Sequence, residues 1–163
     1  MGAKTEIRFH DFANISEREI SQEFLCLGSN WCLMLIVGEQ PGFIGKADPG
    51  CVGLFLQNTS NTSNTSISID FRFTIKNSKN KVLRRLKPRN IRDADGKRVD
   101  NVTFTNEQPY WGIYNFGIHF FMKHFYLVKG ALRVEVKMKL IESNQLTNEL
   151  ESLPSSREDC PTS

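Results

Sequence analysis

Apolar and polar positions along the chain alternate with a period of two in several stretches and follow helical spacing in only one. The cleanest case is Ile67 to Lys76, where Ile67, Ile69, Phe71, Phe73 and Ile75 alternate with Ser68, Asp70, Arg72, Thr74 and Lys76. That pattern predicts a strand with one face in a core and the other in water, as in antiparallel sheets. Leu132, Val134, Val136, Met138 and Leu140 repeat it against Arg133, Glu135, Lys137 and Lys139. Trp31 to Val37 is an unbroken apolar run bounded by turn residues, which suits a strand covered on both faces. Shorter strands are predicted from Ile7 to Phe12, Ile20 to Leu27, Val52 to Gln57, around Val82-Leu83-Leu86, and from Val102 to Thr105. The apolar stretch from Phe120 to Val128 has no clear period, and Lys129-Gly130 after it is turn composition.

These strands are separated by a Gly- and Pro-rich loop from Gly38 to Gly50 and by an Asn-Thr-Ser triplet repeated three times from Asn58 to Ser66. Helical spacing is confined to Leu146, Leu150 and Leu153, stopped by Pro154, with a polar, disorder-prone end after it. The expectation is an all-β chain, an eight-stranded antiparallel β-sandwich with a short C-terminal helix. Residues 1–141 would form the domain and residues 142–163 a linker or tail.

Composition narrows the chemistry. The net charge is only +3, but Lys76 to Arg98 carries ten basic residues against Asp93 and Asp95, so the remainder is net acidic. Few aromatics interleave there, so the segment reads as a solvated loop with one short strand, without the stacking platform of a nucleic-acid interface. Cys26, Cys32, Cys51 and Cys160 have no metal-ligand spacing, and His10, His119 and His124 lack partners at such spacing. No metal or other cofactor is expected. No apolar run is long enough for a membrane span, and the first twenty residues do not read as a signal peptide. A cytoplasmic or nuclear setting is therefore expected, with free thiols and with the Asn-x-Ser/Thr triplets undecorated. No nucleophile, base and orienting group recur together, so catalysis is not expected.

Tyr110-Trp111-Gly112-Ile113-Tyr114-Asn115-Phe116 is the densest aromatic stretch, entered from Pro109. Large rings around a glycine fit a backbone that bends or is closely approached. Two readings stay open on these residues alone: a tryptophan plug at the end of a sandwich, and an aromatic protein-binding surface.

In this order the strands resemble the MATH domain (meprin and TRAF homology), most closely that of speckle-type POZ proteins. The resemblance is carried by Phe24 followed by Trp31-Cys32-Leu33, by Leu54-Phe55-Leu56, and by Phe71-Arg72-Phe73-Thr74-Ile75-Lys76-Asn77. Trp111-Gly112 with Phe116, and the final strand Leu132 to Leu140, complete it, covering Ile7 to Ile141. Gln145 to Leu153 and Asp159-Cys160 are similar to the lead-in to a BTB/POZ domain, which would begin where this sequence ends.

The resemblance implies a non-catalytic module that holds short extended peptides from disordered segments of partner proteins. With a BTB domain, such a module is a substrate adaptor of a cullin-type ubiquitin ligase. Carried over by position, the groove would comprise Phe55, Phe71, Trp111, Gly112 and Ile113, flanked by Tyr110 and Tyr114. Phe55 replaces the family's tyrosine, Pro109 and Tyr110 replace a Lys-Asp pair, Ile113 replaces a phenylalanine, and Tyr114 replaces a lysine. The expected groove is thus more apolar and less charged than the family's. Alternatives in keeping with the same resemblance are a TRAF-like oligomeric scaffold and a non-functional fragment of a MATH-BTB protein. Neither nucleic acid nor membrane is an expected partner.

Overall fold

A computed structural model describes residues 2–38, 50–60, 65–88, 91–92 and 95–145. Among them the chain is mostly β, and every strand pairing is antiparallel. The strands are β1 (Gly2–Phe9), β2 (Arg18–Ile20), β3 (Phe24–Cys26), β4 (Ser29–Val37), β5 (Cys51–Asn58) and β6 (Thr65–Lys76). They continue with β7 (Val82–Leu86), β8 (Ile91–Arg92), β9 (Arg98–Val99), β10 (Val102–Phe104), β11 (Tyr110–Ile118) and β12 (Leu132–Gln145). Among the described residues one α-helix, α1 (His119–Phe125), lies between the last two. The expected C-terminal helix and most of the two long loops lie outside the described residues.

The first sheet has the order β1-β12-β6-β10, with β7 pairing the other half of the same edge of β6. The second runs β11-β5-β4-β2, with β3 also on β4, and β8-β9 forms a small ribbon. The alternation of β6 sends Ile69, Phe71, Phe73 and Ile75 into a core that also receives Leu33, Leu35, Leu54 and Leu56 of the second sheet. Rings cross between the sheets: Trp31 meets Phe104 edge-on at 5.0 Å, and Phe73 meets Phe116 at 6.2 Å. Burial of each such side chain contributes about 1.5–3 kcal/mol relative to exposure. The indole N–H of Trp31 donates to the Cys26 carbonyl at 2.8 Å, so the core's largest side chain leaves no donor unmet.

Two kinds of residue place the turns. Leu27-Gly28 and Lys129-Gly130 are two-residue connections with positive φ at both positions, the twist that suits tight antiparallel hairpins. Asn77 builds the β6–β7 turn: its side-chain oxygen accepts from the backbone N–H groups of Lys79 and Lys81, both at 2.9 Å.

The wet face of the first sheet is arranged in rows of like charge. Lys4 lies opposite Lys137, which lies opposite Arg72; Glu6 faces Glu135, and Arg8 faces Arg133. Direct cross-strand repulsion is offset by bonds between rows. Arg133 grips Glu6 through two nitrogens at 2.9 and 3.2 Å, and Glu135 takes Lys76 at 3.1 Å. Arg133 also donates to the Asn77 carbonyl and the Asn80 side chain, pinning the β6–β7 turn to β12. Its hydrogen bond to Glu6 holds that carboxyl below the ordinary value.

Three expectations change, and one stretch without a clear period gains a structure. The first strand ends at Phe9, and Phe12 reaches the core from a short 3-10 turn, Phe12–Asn14. The strand expected from Ile20 to Leu27 is two short ones, β2 and β3, both on the same side of β4. The last strand continues four residues past Ile141, to Gln145. The aperiodic run after Gly117 is helical: α1 buries Met122, while Phe120 and Phe125 are 67% and 68% exposed. Lys123 and His124 in its last turn complement the negative end of the helix.

On β2 the polarity is inverted. Ile20 is exposed, whereas Glu19 lies opposite Leu35 on the core side and its Oε1 is buried without a partner. An inward charge on an edge strand discourages pairing with further strands. Burial, reinforced by the charge of Asp11, pushes the Glu19 carboxyl above its ordinary 4.5. As pH rises through 4.5 the unfolded chain therefore ionises first, and stability falls until the folded carboxyl ionises as well. Glu19→Gln is expected to be more stable than the parent at pH 7 in urea denaturation, with the difference closing below pH 4.5.

Candidate functional site: a groove along the edge of β11

β11 is an edge strand; among the described residues it pairs only with β5. Tyr110, Trp111, Gly112 and Ile113 face Gln57, Leu56, Phe55 and Leu54, so alternate residues of β11 point to opposite sides. Trp111 and Ile113 share the core side with Leu56 and Leu54, and both pack partly on the main core. Tyr110 and Gly112 share the outer side with Phe55, and Tyr110 packs on a separate patch of Phe55, Met34 and Ile36.

The backbone alternates in the same way. Asn58 N–H donates to the Pro109 carbonyl at 2.9 Å, so 109, 111 and 113 turn their backbone groups toward β5. Tyr110 and Gly112 turn theirs away from β5. The Tyr110 carbonyl accepts from the Gln108 side-chain amide at 2.8 Å, which sets the entry of the strand. After Ile113 the register slips, and pairing resumes at Gly117 with Val52. The intervening bulge brings Tyr114, 52% exposed, edge-on to the Phe55 ring at 5.3 Å.

Along this edge runs a groove of about 430 Å³. Phe55 and the five residues Tyr110 to Tyr114 line one side, with Gln108 and Asn115 at its ends. Six of the seven residues expected at a site are therefore together. Phe71 is not with them. It faces the core of the first sheet, 2% exposed, against Phe73 at 5.2 Å and Phe104 at 6.3 Å. Its place in the strict alternation of β6 accounts for it as packing.

The opposite wall comes from the basic segment that the sequence presents as a solvated loop: Arg84, Leu86, Lys87, Pro88 and Ile91. Arg84 and Leu86 face Ile75 and Phe73 across the β6–β7 ladder, so they project toward the core side at its open edge. Lys87 is held by Asp70 at 3.0 Å. The sequence signal for this wall was the short apolar pattern Val82-Leu83-Leu86 inside a cationic run, which marked a strand but not its neighbour.

Trp111 is partly packed on the core and partly in the groove. Its indole N–H donates to the Thr103 carbonyl at 2.9 Å, tying the second sheet to β10 of the first, while part of it stays in the groove. Gly112 is needed for close approach. A Cβ there would collide with the Leu54 carbonyl and lie 2.6 and 2.7 Å from the Phe55 backbone and ring. The nearby Cys32 thiol is pushed up to about 11, chiefly by burial, and is protonated at neutral pH.

Among the described residues no three His, Cys, Asp or Glu side chains gather as a metal site, and no helix is long and apolar enough to cross a membrane. No protein-family model matches the chain, and no curated protein matches it significantly.

Gly112→Ala is expected to lower stability by about 1–3 kcal/mol, the cost of overpacking, through displacement of Phe55. A thermal melt of the variant beside the parent checks this.

Proposed function

We propose that this chain is a non-catalytic interaction module of the MATH type, a TRAF-like β-sandwich that holds extended peptide segments of partner proteins. The observation that carries the reading is the groove itself: an aromatic-lined channel along a sheet edge whose backbone groups at Gly112 face outward. An extended segment laid there would take main-chain hydrogen bonds from β11 and would place alternate side chains against the groove walls. Tyr110 and Tyr114 supply large, amphipathic contact area of the kind that anchors interfaces. Joined to a BTB domain, the module would serve as a substrate adaptor for a cullin-type ubiquitin ligase in the cytoplasm or nucleus.

The groove's chemistry differs from the family's serine-directed one. Phe55 carries no hydroxyl, and it packs with Met34 and Ile36 beneath Tyr110. Apolar anchors on the ligand therefore contribute more than hydroxyl contacts.

An array of 15-residue peptides from disordered protein segments, probed with the purified chain, tests the reading. Tyr110→Ala and Tyr114→Ala are expected to weaken the captured peptides about tenfold, the scale of an interface hot spot, without lowering the melting temperature substantially. Retention of full binding by both variants would place the site elsewhere.

A further inference from the structure

Among the described residues, the wall opposite β11 holds a charge with no counterpart. Arg84 sits on β7, an edge strand, opposite Ile75, so its side chain starts toward the core side and lines the groove. Its Nε is buried and has no hydrogen-bond partner. Among the described residues no carboxylate lines the groove. Lys87, the other cation there, already has Asp70. Buried donors in folded proteins are nearly always paired, and an unmet hydrogen bond on a charged group is among the costlier defects. Either Arg84 is a guard of the sheet edge, as Glu19 is on β2, or the terminal nitrogens of its guanidinium, beyond the buried Nε, take a partner from a ligand in the groove.

The surroundings favour the second. Arg84 and Leu86 are two residues apart on one face of β7, with Ile91 and Pro88 beside them and Ile113 on the facing strand. A cation beside an apolar surface matches a carboxylate and an apolar side chain two residues apart on an extended chain, about 6–7 Å from each other. A guanidinium edge pairs with a planar carboxylate through two parallel hydrogen bonds. A nucleic-acid backbone would instead set a run of phosphates against one unpaired cation and an apolar floor, and the observations do not favour it.

We propose that the groove selects an acidic–apolar peptide, in which an Asp or Glu side chain pairs with Arg84 and the residue two positions away packs an apolar side chain against Leu86. This rests on the peptide-groove reading above and names its ligand class. The cationic segment thereby has a specific role: it supplies the groove with the charge that Tyr110 and Tyr114 lack.

The test is a positional-scanning nonapeptide library presented to the full chain, to Arg84→Gln and to Arg84→Glu, each checked for fold by circular dichroism. The parent is expected to enrich Asp or Glu at one position and an apolar residue two away. Arg84→Gln should keep the apolar selection and lose the acidic one, and Arg84→Glu should select Lys or Arg instead. For the best single peptide, replacing its acid by the matching amide should weaken binding to the parent about tenfold and abolish the salt dependence of its affinity. That arm needs no protein variant and decides the matter if the substitutions unfold the chain.

Apolar selection by the parent without an acid would overturn the inference while leaving the peptide groove standing. So would acid selection that persists in Arg84→Gln, or unchanged selection together with self-association of that variant, which would make Arg84 an edge guard. Capture of no peptide by the parent would overturn both readings.

Discussion

The fold depends on burying one face of β6. Its alternation leaves Ile69, Phe71, Phe73 and Ile75 no stable place except against another apolar layer, and β4 and β5 supply it. Because β6 is long, it carries β12 along one edge and both β7 and β10 along the other. That division of an edge has a consequence at a distance. It sets β7, with Arg84 and Leu86, across from β11, and the groove is the gap between two sheet edges that share a core but do not pair.

Core packing and the groove meet at β11. Trp111 and Ile113 are partly core side chains, while Tyr110 and Tyr114 are held in place by contact with Phe55. Gly112 allows this because the strand lies so close to Phe55 that no side chain fits between them. The unpaired edge is meanwhile a hazard for aggregation, and the inward charges of Glu19 and Arg84 fall on edge strands at β2 and β7.

Half of the strands could be read from the residues. β4, β5, β6, β7, β10 and the start of β12 follow from alternation or from apolar runs between turn residues. The failures have physical causes. Periodicity puts Phe12 on the first strand, but a core side chain can equally hang from a 3-10 turn, and periodicity does not distinguish the two. The apolar stretch containing Phe120 and Phe125 has no period from which to read an element, and its seven-residue helix buries mainly Met122, since hydrophobicity is only a one-way guide to burial. The resemblance puts Phe71 with the groove, whereas its own alternation assigns it to the core, where it lies.

What the residues determined by themselves was local: which face of each strand is apolar, where glycine and asparagine allow turns, and that an aromatic cluster surrounds a glycine at position 112. A period of two fixes the face of a strand but carries no information about which strand lies beside it or across from it. That was decided only by tertiary structure, through packing of the two sheets. It brought Arg84 and Leu86 to face β11, joined six aromatic-stretch and β5 residues into one groove, and sent Phe71 to the interior.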